Sequence, residues 1–307
     1  AKSHIRIGTF EYARTKNNKI LKTLADYSID RHYPDLKHTD NKYLSFFAAV
    51  CDKQALLISK WMSYGFIHGV MNTDNMTISG ETIDYGPCAF MNSYDPKTVF
   101  SSIDHNGRYS YQNQPAILIW NLAKFAETLI PLIDEDEEIS IKKLTEILQL
   151  AMPSYQEYFY KEFGEKLGLE TIDNKNIKLI ENYIKILHSE SIDFTLSFRH
   201  LSKIVNQSIG LEDSVFSKSK DFLTWYKSWK KEINVADIFQ EMNLKNPCYI
   251  PRNHLIEDAL ENAINGDMKK INTIIKLLRE PFTEKNGFEE YILPSSTDDP
   301  YVTYCGT

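Results

Sequence analysis

The sequence predicts a mainly helical α+β fold with one short β-hairpin, and three observations point to it. Apolar residues recur near helical spacing over residues 41–64. Helical patterns dominate after Pro115. Between them, Met76-Thr77-Ile78 and Thr82-Ile83 flank Ser79-Gly80, which is a short hairpin signal.

Taken in order, residues 8–36 read as helical, with Phe10, Leu21, Leu24 and Ile29 among charged residues and a stop before Pro34. A stronger helix follows over 41–64. Leu44, Phe47, Val50, Leu57, Ile58 and Trp61 form its apolar face, and Gly65 is a natural stop. The hairpin then carries Asn75 at its entrance and Asp84 at its exit, so the two side chains can converge. Residues 87–115 are turn-rich and aromatic, with Tyr94, Tyr109, Tyr111 and Asn106-Gly107. Ile117 to Ile133 is apolar on several faces and reads as a buried helix. The acidic run Asp134 to Glu138 is a solvated turn at the start of the next helix, where negative charge is favoured. Further helices are expected over 154–168, 174–188, 193–207, 213–231, 252–265 and 267–279. Gly266 separates the last two, and Pro281 closes the second. The tail from Thr297 reads as extended and loosely held.

The chain of 307 residues is long enough for one large domain or two moderate ones. Its hydrophobic share of 42% and charged share of 25% are those of an ordinary globular protein. A net charge of −7 argues against nucleic acid as a partner, which needs a basic face. No apolar run is read as approaching the roughly 18 residues of a membrane span, so no membrane partner is expected. Cys51, Cys88, Cys248 and Cys305 lack the paired spacing of a zinc site, and a reducing, cytoplasmic setting is the default. The opening Ala1-Lys2-Ser3-His4, without Met, suggests a piece of something longer.

The most informative stretch is His68-Gly69-Val70-Met71-Asn72-Thr73-Asp74-Asn75, followed by Asp84-Tyr85-Gly86. Protein-kinase loops run His-(Arg or Gly)-Asp, then four residues, then Asn, and later Asp-Phe-Gly. Their first Asp serves the acceptor hydroxyl, while the Asn and the second Asp hold magnesium on the phosphates. His68-Gly69 and Asn75 fall in register with that pattern, but Val70 occupies the catalytic Asp position and cannot accept a proton. One carboxylate remains close by, Asp74. The fold expected is thus a protein-kinase-like C-lobe over 1–150, with a helical C-terminal extension over 151–307 packed on it. His68 reads as a structural residue holding the loop. His4, His32, His105 and His254 show no metal-ligand spacing.

The whole block from His68 to Pro87 closely resembles the selenoprotein O family, kinase-fold protein adenylyltransferases long classed as pseudokinases. Similar segments continue at Ser3-His4-Ile5-Arg6-Ile7-Gly8-Thr9-Phe10, Arg108-Tyr109 through Gln112-Asn113-Gln114-Pro115, and Trp120-Asn121-Leu122. They recur at Asn246-Pro247, Arg252-Asn253, Gly266-Asp267 and Pro281-Phe282. The resemblance implies that ATP binds inverted relative to a kinase and that AMP passes to a Ser, Thr or Tyr hydroxyl of a protein, releasing pyrophosphate. It implies Asp74 as proton acceptor, Asn75 and Asp84 as Mg²⁺ ligands with Asp84 also touching the nucleotide, and Arg6 as a phosphate contact. The family's N-terminal nucleotide lobe has no counterpart in this chain, so the piece alone is expected to be inactive. It also implies a redox role for Cys305, with Cys88 as a conceivable disulfide partner.

Other readings stay open at this stage. Hard oxygen ligands also accept Mn²⁺, which permits UMP transfer from UTP. A residual phosphotransferase is disfavoured by Val70. A non-catalytic pseudokinase scaffold would have no need for Asp74, Asn75 and Asp84 together.

Overall fold

A computed structural model describes residues 1–234, 238–295 and 301–304. The chain is mainly helical, with one small antiparallel sheet. Its elements in order are α1 (Ile7–Lys16), α2 (Asn18–His32), α3 (Lys42–Tyr64), β1 (Phe66–Ile67) and β2 (Ala89–Phe90). Then come α4 (Gln114–Ile133), α5 (Glu137–Lys166), α6 (Asn174–Ser189), α7 (Phe194–Val205) and α8 (Lys220–Trp229). The last helices are α9 (Ile238–Lys245), α10 (Asn253–Ile264) and α11 (Lys269–Leu278).

The helix expected over 8–36 is two helices. Asn17 takes an extended backbone between them, and its side chain accepts from Ile20 N to cap α2. The helix over 41–64 stands as expected. Asn41 caps it by accepting from Leu44 N, and Gly65 ends it at a left-handed φ of 67°. The acidic run does open a helix, with Asp136 accepting from Glu138 N and Ile139 N. That helix, α5, runs without a break through Pro153 and Gly164 to Lys166, so the expected segment 154–168 is only its second half. Packing along α3 and α4 offsets the hydrogen bond that Pro153 cannot donate. The 213–231 helix shortens to α8, and α9 was not expected.

α5 passes straight through residue 150, and one core cluster unites side chains from Ile7 to Met242. Its centre is aromatic. Phe10, Phe46 and Phe125 meet at ring distances of 5.0–5.9 Å, mostly edge to face. A smaller cluster of Leu196, Cys248, Tyr249, Leu277 and Ile292 lies under the C-terminal helices.

Tyr111–Ile133 is long and apolar enough, by length and composition, to cross a membrane, contrary to the expectation that no such run exists. In this fold it is a core helix. Ile117, Leu118, Leu122, Phe125 and Leu129 face the interior, and so do the polar Gln114 and Asn121.

Lys166 ends α5 inside the core, with its ammonium 4.1 Å from the Phe198 ring and 5.1 Å from the Tyr64 ring. Burial pulls its pKa down to about 7. The unfolded chain keeps that proton up to about 10.5, so it binds more protons than the folded chain between pH 7 and 10.5. Stability should therefore rise with pH through this window. Lys166→Met is expected to stabilise the fold by about 1–2 kcal/mol at pH 7 and to flatten the slope. Thermal midpoints of both proteins between pH 7 and 9.5 check this, and an unchanged slope would refute it.

Candidate active site around Asp74, Asn75 and Asp84

The site is assembled by α3, by the loops between β1 and β2, and by the start of α1. β1 pairs with β2 in the register Phe66↔Phe90 and Ile67↔Ala89, which closes residues 68–88 into one excursion. Within it the expected hairpin is reduced to a single antiparallel bridge, Met76↔Thr82. Its turn is held by Thr77, whose Oγ1 accepts from Glu81 N (3.1 Å) and donates to Glu81 O (2.9 Å). The other neighbour of Thr77 is Arg6, again antiparallel. Ile78 N donates to Ile5 O and Ile7 N to Met76 O, at 3.0 and 2.9 Å. The start of the chain thus replaces hairpin pairing that the excursion does not make for itself.

His68 is structural, as the sequence suggests. It is fully buried and stacks on Trp61 at 5.2 Å. Nδ1 accepts from Val70 N (3.4 Å), which leaves Nε2 to donate to Ile83 O at 2.7 Å. Burial pushes its pKa below the ordinary value, so this neutral tautomer persists. The ring therefore ties residue 70 to the residue before Asp84. Two polar side chains of α4, given no role by the sequence, complete the support. Gln114 accepts from His68 N and donates to Phe66 O, both at 3.0 Å, and Asn121 donates to Met71 O at 2.8 Å. The signal for Asn121 was a lone amide in an apolar helix.

Gly69 follows at φ 85°, and a β-carbon there would stand 2.8 Å from Pro87 O. Both the backbone angle and the space demand glycine. Gly69→Ala is expected to cost about 1–3 kcal/mol. A thermal midpoint within a degree of wild type would count against this reading.

The candidate residues converge. Asn75 is buried at the end of a short 3₁₀ turn (Thr73–Asn75), and its Nδ2 donates to Asp84 Oδ2. Asp84 sits at φ 57°, a conformation that Asp and Asn tolerate better than most residues. Asp74 is exposed, with its N–H donating to Asn72 Oδ1 at 2.9 Å. Arg6 reaches the same place: its Nη1 lies 3.4 Å from Asp74 O and 3.9 Å from Asp74 Oδ1. The Arg6 side chain is 43% exposed and that of Asp74 65%, and at 3.9 Å the screened ion pair is weak.

Among the described residues no three His, Cys, Asp or Glu side chains gather as a metal site. What is present is one carboxylate and one amide side chain in contact. That donor set suits Mg²⁺, which takes one or two protein groups and fills its shell with phosphate and water. Cys88 carries a free, half-buried thiol that donates to Tyr85 O at 3.2 Å, and burial raises its pKa to about 11. Cys305 lies outside the described residues.

The tail is extended over residues 301–304, as expected, but Tyr301 and Thr303 are tied to the fold while Val302 and Tyr304 are exposed. Thr303 is buried, bridges Ser101, and donates through Oγ1 to Pro87 O at 2.9 Å. Arg252, one of the family-like positions, is fully buried. It pairs with Asp193 at 2.8 Å and also donates to Asn92 Oδ1 and Ile292 O. It thereby joins α7, α10 and the segment just after β2.

A family profile described as Protein adenylyltransferase SelO matches residues 1–279. Among similar curated proteins is the Protein nucleotidyltransferase YdiU of Maridesulfovibrio salexigens, 46% identical over 317 residues, covering all of this chain and 64% of that protein. The protein of the same name from Cereibacter sphaeroides is 45% identical over 310 residues, covering the whole chain and 64% of the relative. That of Clostridium perfringens is 46% identical over 318 residues, again with the whole chain covered and 63% of the relative. The chain thus spans slightly less than two thirds of the length of these relatives.

Proposed function

The chain belongs to the SelO family of protein adenylyltransferases, and from that premise we propose that it carries the catalytic and metal loops of a protein AMP-transferase on a kinase-like C-lobe. The observation that carries the proposal is the contact of Asn75 with Asp84 and of Arg6 with Asp74, the residue next to Asn75, in a loop whose position 70 is a valine with no proton-accepting group. In this reading residues 1–150 form the lobe and 151–307 the extension that braces it. The substrate is ATP, the acceptors are hydroxyl side chains of proteins, and the setting is cytoplasmic.

The acceptor hydroxyl oxygen attacks the α-phosphorus of ATP. The bond from that phosphorus to the bridging oxygen breaks, pyrophosphate leaves, and the hydroxyl proton passes to the Asp74 carboxylate. Asp74 is suited to that role by its exposure, which leaves the carboxylate open to an incoming side chain. Asn75 and Asp84 would hold Mg²⁺, which supplies charge neutralisation on the phosphates. Arg6, held by a long ion pair and one 3.4 Å bond to Asp74 O, would turn its guanidinium onto a phosphate oxygen.

The test uses a protein of the relatives' full length, a set of candidate acceptor proteins, and ATP labelled separately at the α- and γ-phosphates. Label arriving from the α-phosphate alone, and lost in Asp74→Ala, is the expected result. Label from the γ-phosphate would make the protein a kinase in spite of Val70. No label from either would favour a binding scaffold.

A further inference from the structure

We propose that Gly8 is a positioning residue for the reaction ascribed above to Asp74, and that its missing side chain is the seat in which the Asp74 carboxylate lies. The inference rests on the role given to Asp74 under Proposed function.

Both sides of the seat are fixed by backbone. On one side, Ile7 N donates to Met76 O and Ile78 N to Ile5 O, so the first turn of α1 is tied to residues 76–78, the extended segment that leaves the loop. Thr9 secures the same turn, its N–H donating to Arg6 O (3.0 Å) and its Oγ1 accepting from Arg6 N (3.1 Å). On the other side, Asp74 N donates to Asn72 Oδ1 and Asn75 N to Asn72 O, which sets the 3₁₀ turn. The carboxylate of Asp74 occupies the space between. A β-carbon built on Gly8 would stand 2.4 Å from Asp74 Oδ1 and 2.9 Å from Asp74 Cγ, well inside van der Waals contact.

Neither the backbone angle nor the place in the helix calls for glycine here. Gly8 is the second residue of a ten-residue helix, and it is not among the residues with positive φ. Apart from proline, glycine is the poorest helix former, so its presence here works against α1, and the space taken by Asp74 accounts for it. The nearest obstacle is also the far end of a side chain. The nearest backbone atom, Asp74 N, would lie 3.4 Å away, at ordinary contact distance, so a methyl group at position 8 would swing the carboxylate aside and leave both backbones in place. A proton acceptor must lie within hydrogen-bond reach of the attacking hydroxyl, and a displacement of about 1 Å can cost a hundredfold in rate.

The experiment compares Gly8→Ala, Asp74→Ala and the double variant in a protein of the relatives' full length. Each is measured for thermal midpoint, for kcat of AMP transfer and for KM of ATP. Gly8→Ala should melt no lower than wild type, lose about 10- to 100-fold in kcat, and keep KM within about twofold. The double variant should be no slower than Asp74→Ala, because the seat acts only through its occupant. Near-normal kcat in Gly8→Ala beside a dead Asp74→Ala would remove the seat and leave the role of Asp74 standing. A further loss in the double variant would also overturn the proposal, since Gly8 would then act through something else. So would a marked fall in the midpoint of Gly8→Ala, which would mean that backbone bounds the space. Full activity in Asp74→Ala would refute the assignment of Asp74 and the seat with it.

Discussion

Asp84→Asn, made in a protein of the relatives' full length, is expected to lower AMP transfer by about 10²–10³-fold while barely changing the thermal midpoint. The separation of the two effects follows from the backbone. Asp84 stands at φ 57°, a region in which Asn is as comfortable as Asp. Asn is also nearly isosteric, and its amide oxygen can still accept from Asn75 Nδ2. What disappears is the negative charge, the only carboxylate in the Asn75–Asp84 pair. Mg²⁺ bound through two neutral amides would be held weakly, so raising its concentration should recover part of the lost rate. Asp84→Ala is a poorer test, because it adds backbone strain and removes the hydrogen bond at once. Unchanged transfer by Asp84→Asn would exclude the metal-holding role.

Arg252→Met should be the most destabilising of the substitutions considered. The guanidinium is fully buried, with Nη1 and Nη2 on the Asp193 carboxylate at 2.8 and 3.2 Å. Nη1 also donates to Asn92 Oδ1 (2.7 Å), and Nε donates to Ile292 O (2.8 Å). Removing it leaves a buried carboxylate without its counter-charge, at a cost of about 3–5 kcal/mol. For a chain of this size the thermal midpoint should fall by roughly 10 °C. Adding Asp193→Asn should restore much of the loss, since the new side-chain amide carries no charge and can still cap α7 at Leu196 N. A single variant that melts within two degrees of wild type would show that the pair is not a structural clamp.

The sequence showed most clearly what local pattern encodes. The helix over 41–64 has an unbroken apolar stripe, an Asn cap and a terminal Gly, and it forms as written. The side chains of the site were legible for the same reason, being set by identity and spacing in one block. Other features depend on partners remote in sequence and leave no periodic trace. The split at Asn17 turns on a single capping residue in a stretch that otherwise reads as helix. The single helix α5 runs through Pro153 because it packs along α3 and α4, against local propensity. The space at Gly8 exists only because residues 5–7 lie beside 76–78. The burial of Arg252 required α7 and the segment after β2 to meet it.

The bond from Thr303 to Pro87 joins residues 216 positions apart, only three residues beyond Asp84 in the loop. Contacts of such separation are the slowest to form, because the intervening chain must first be gathered. During synthesis the loop waits on the order of tens of seconds for that partner to be made. A growing chain can thus pair β1 with β2 and set the His68, Gln114 and Asn121 bonds of the loop well before this last tie at Pro87 is made.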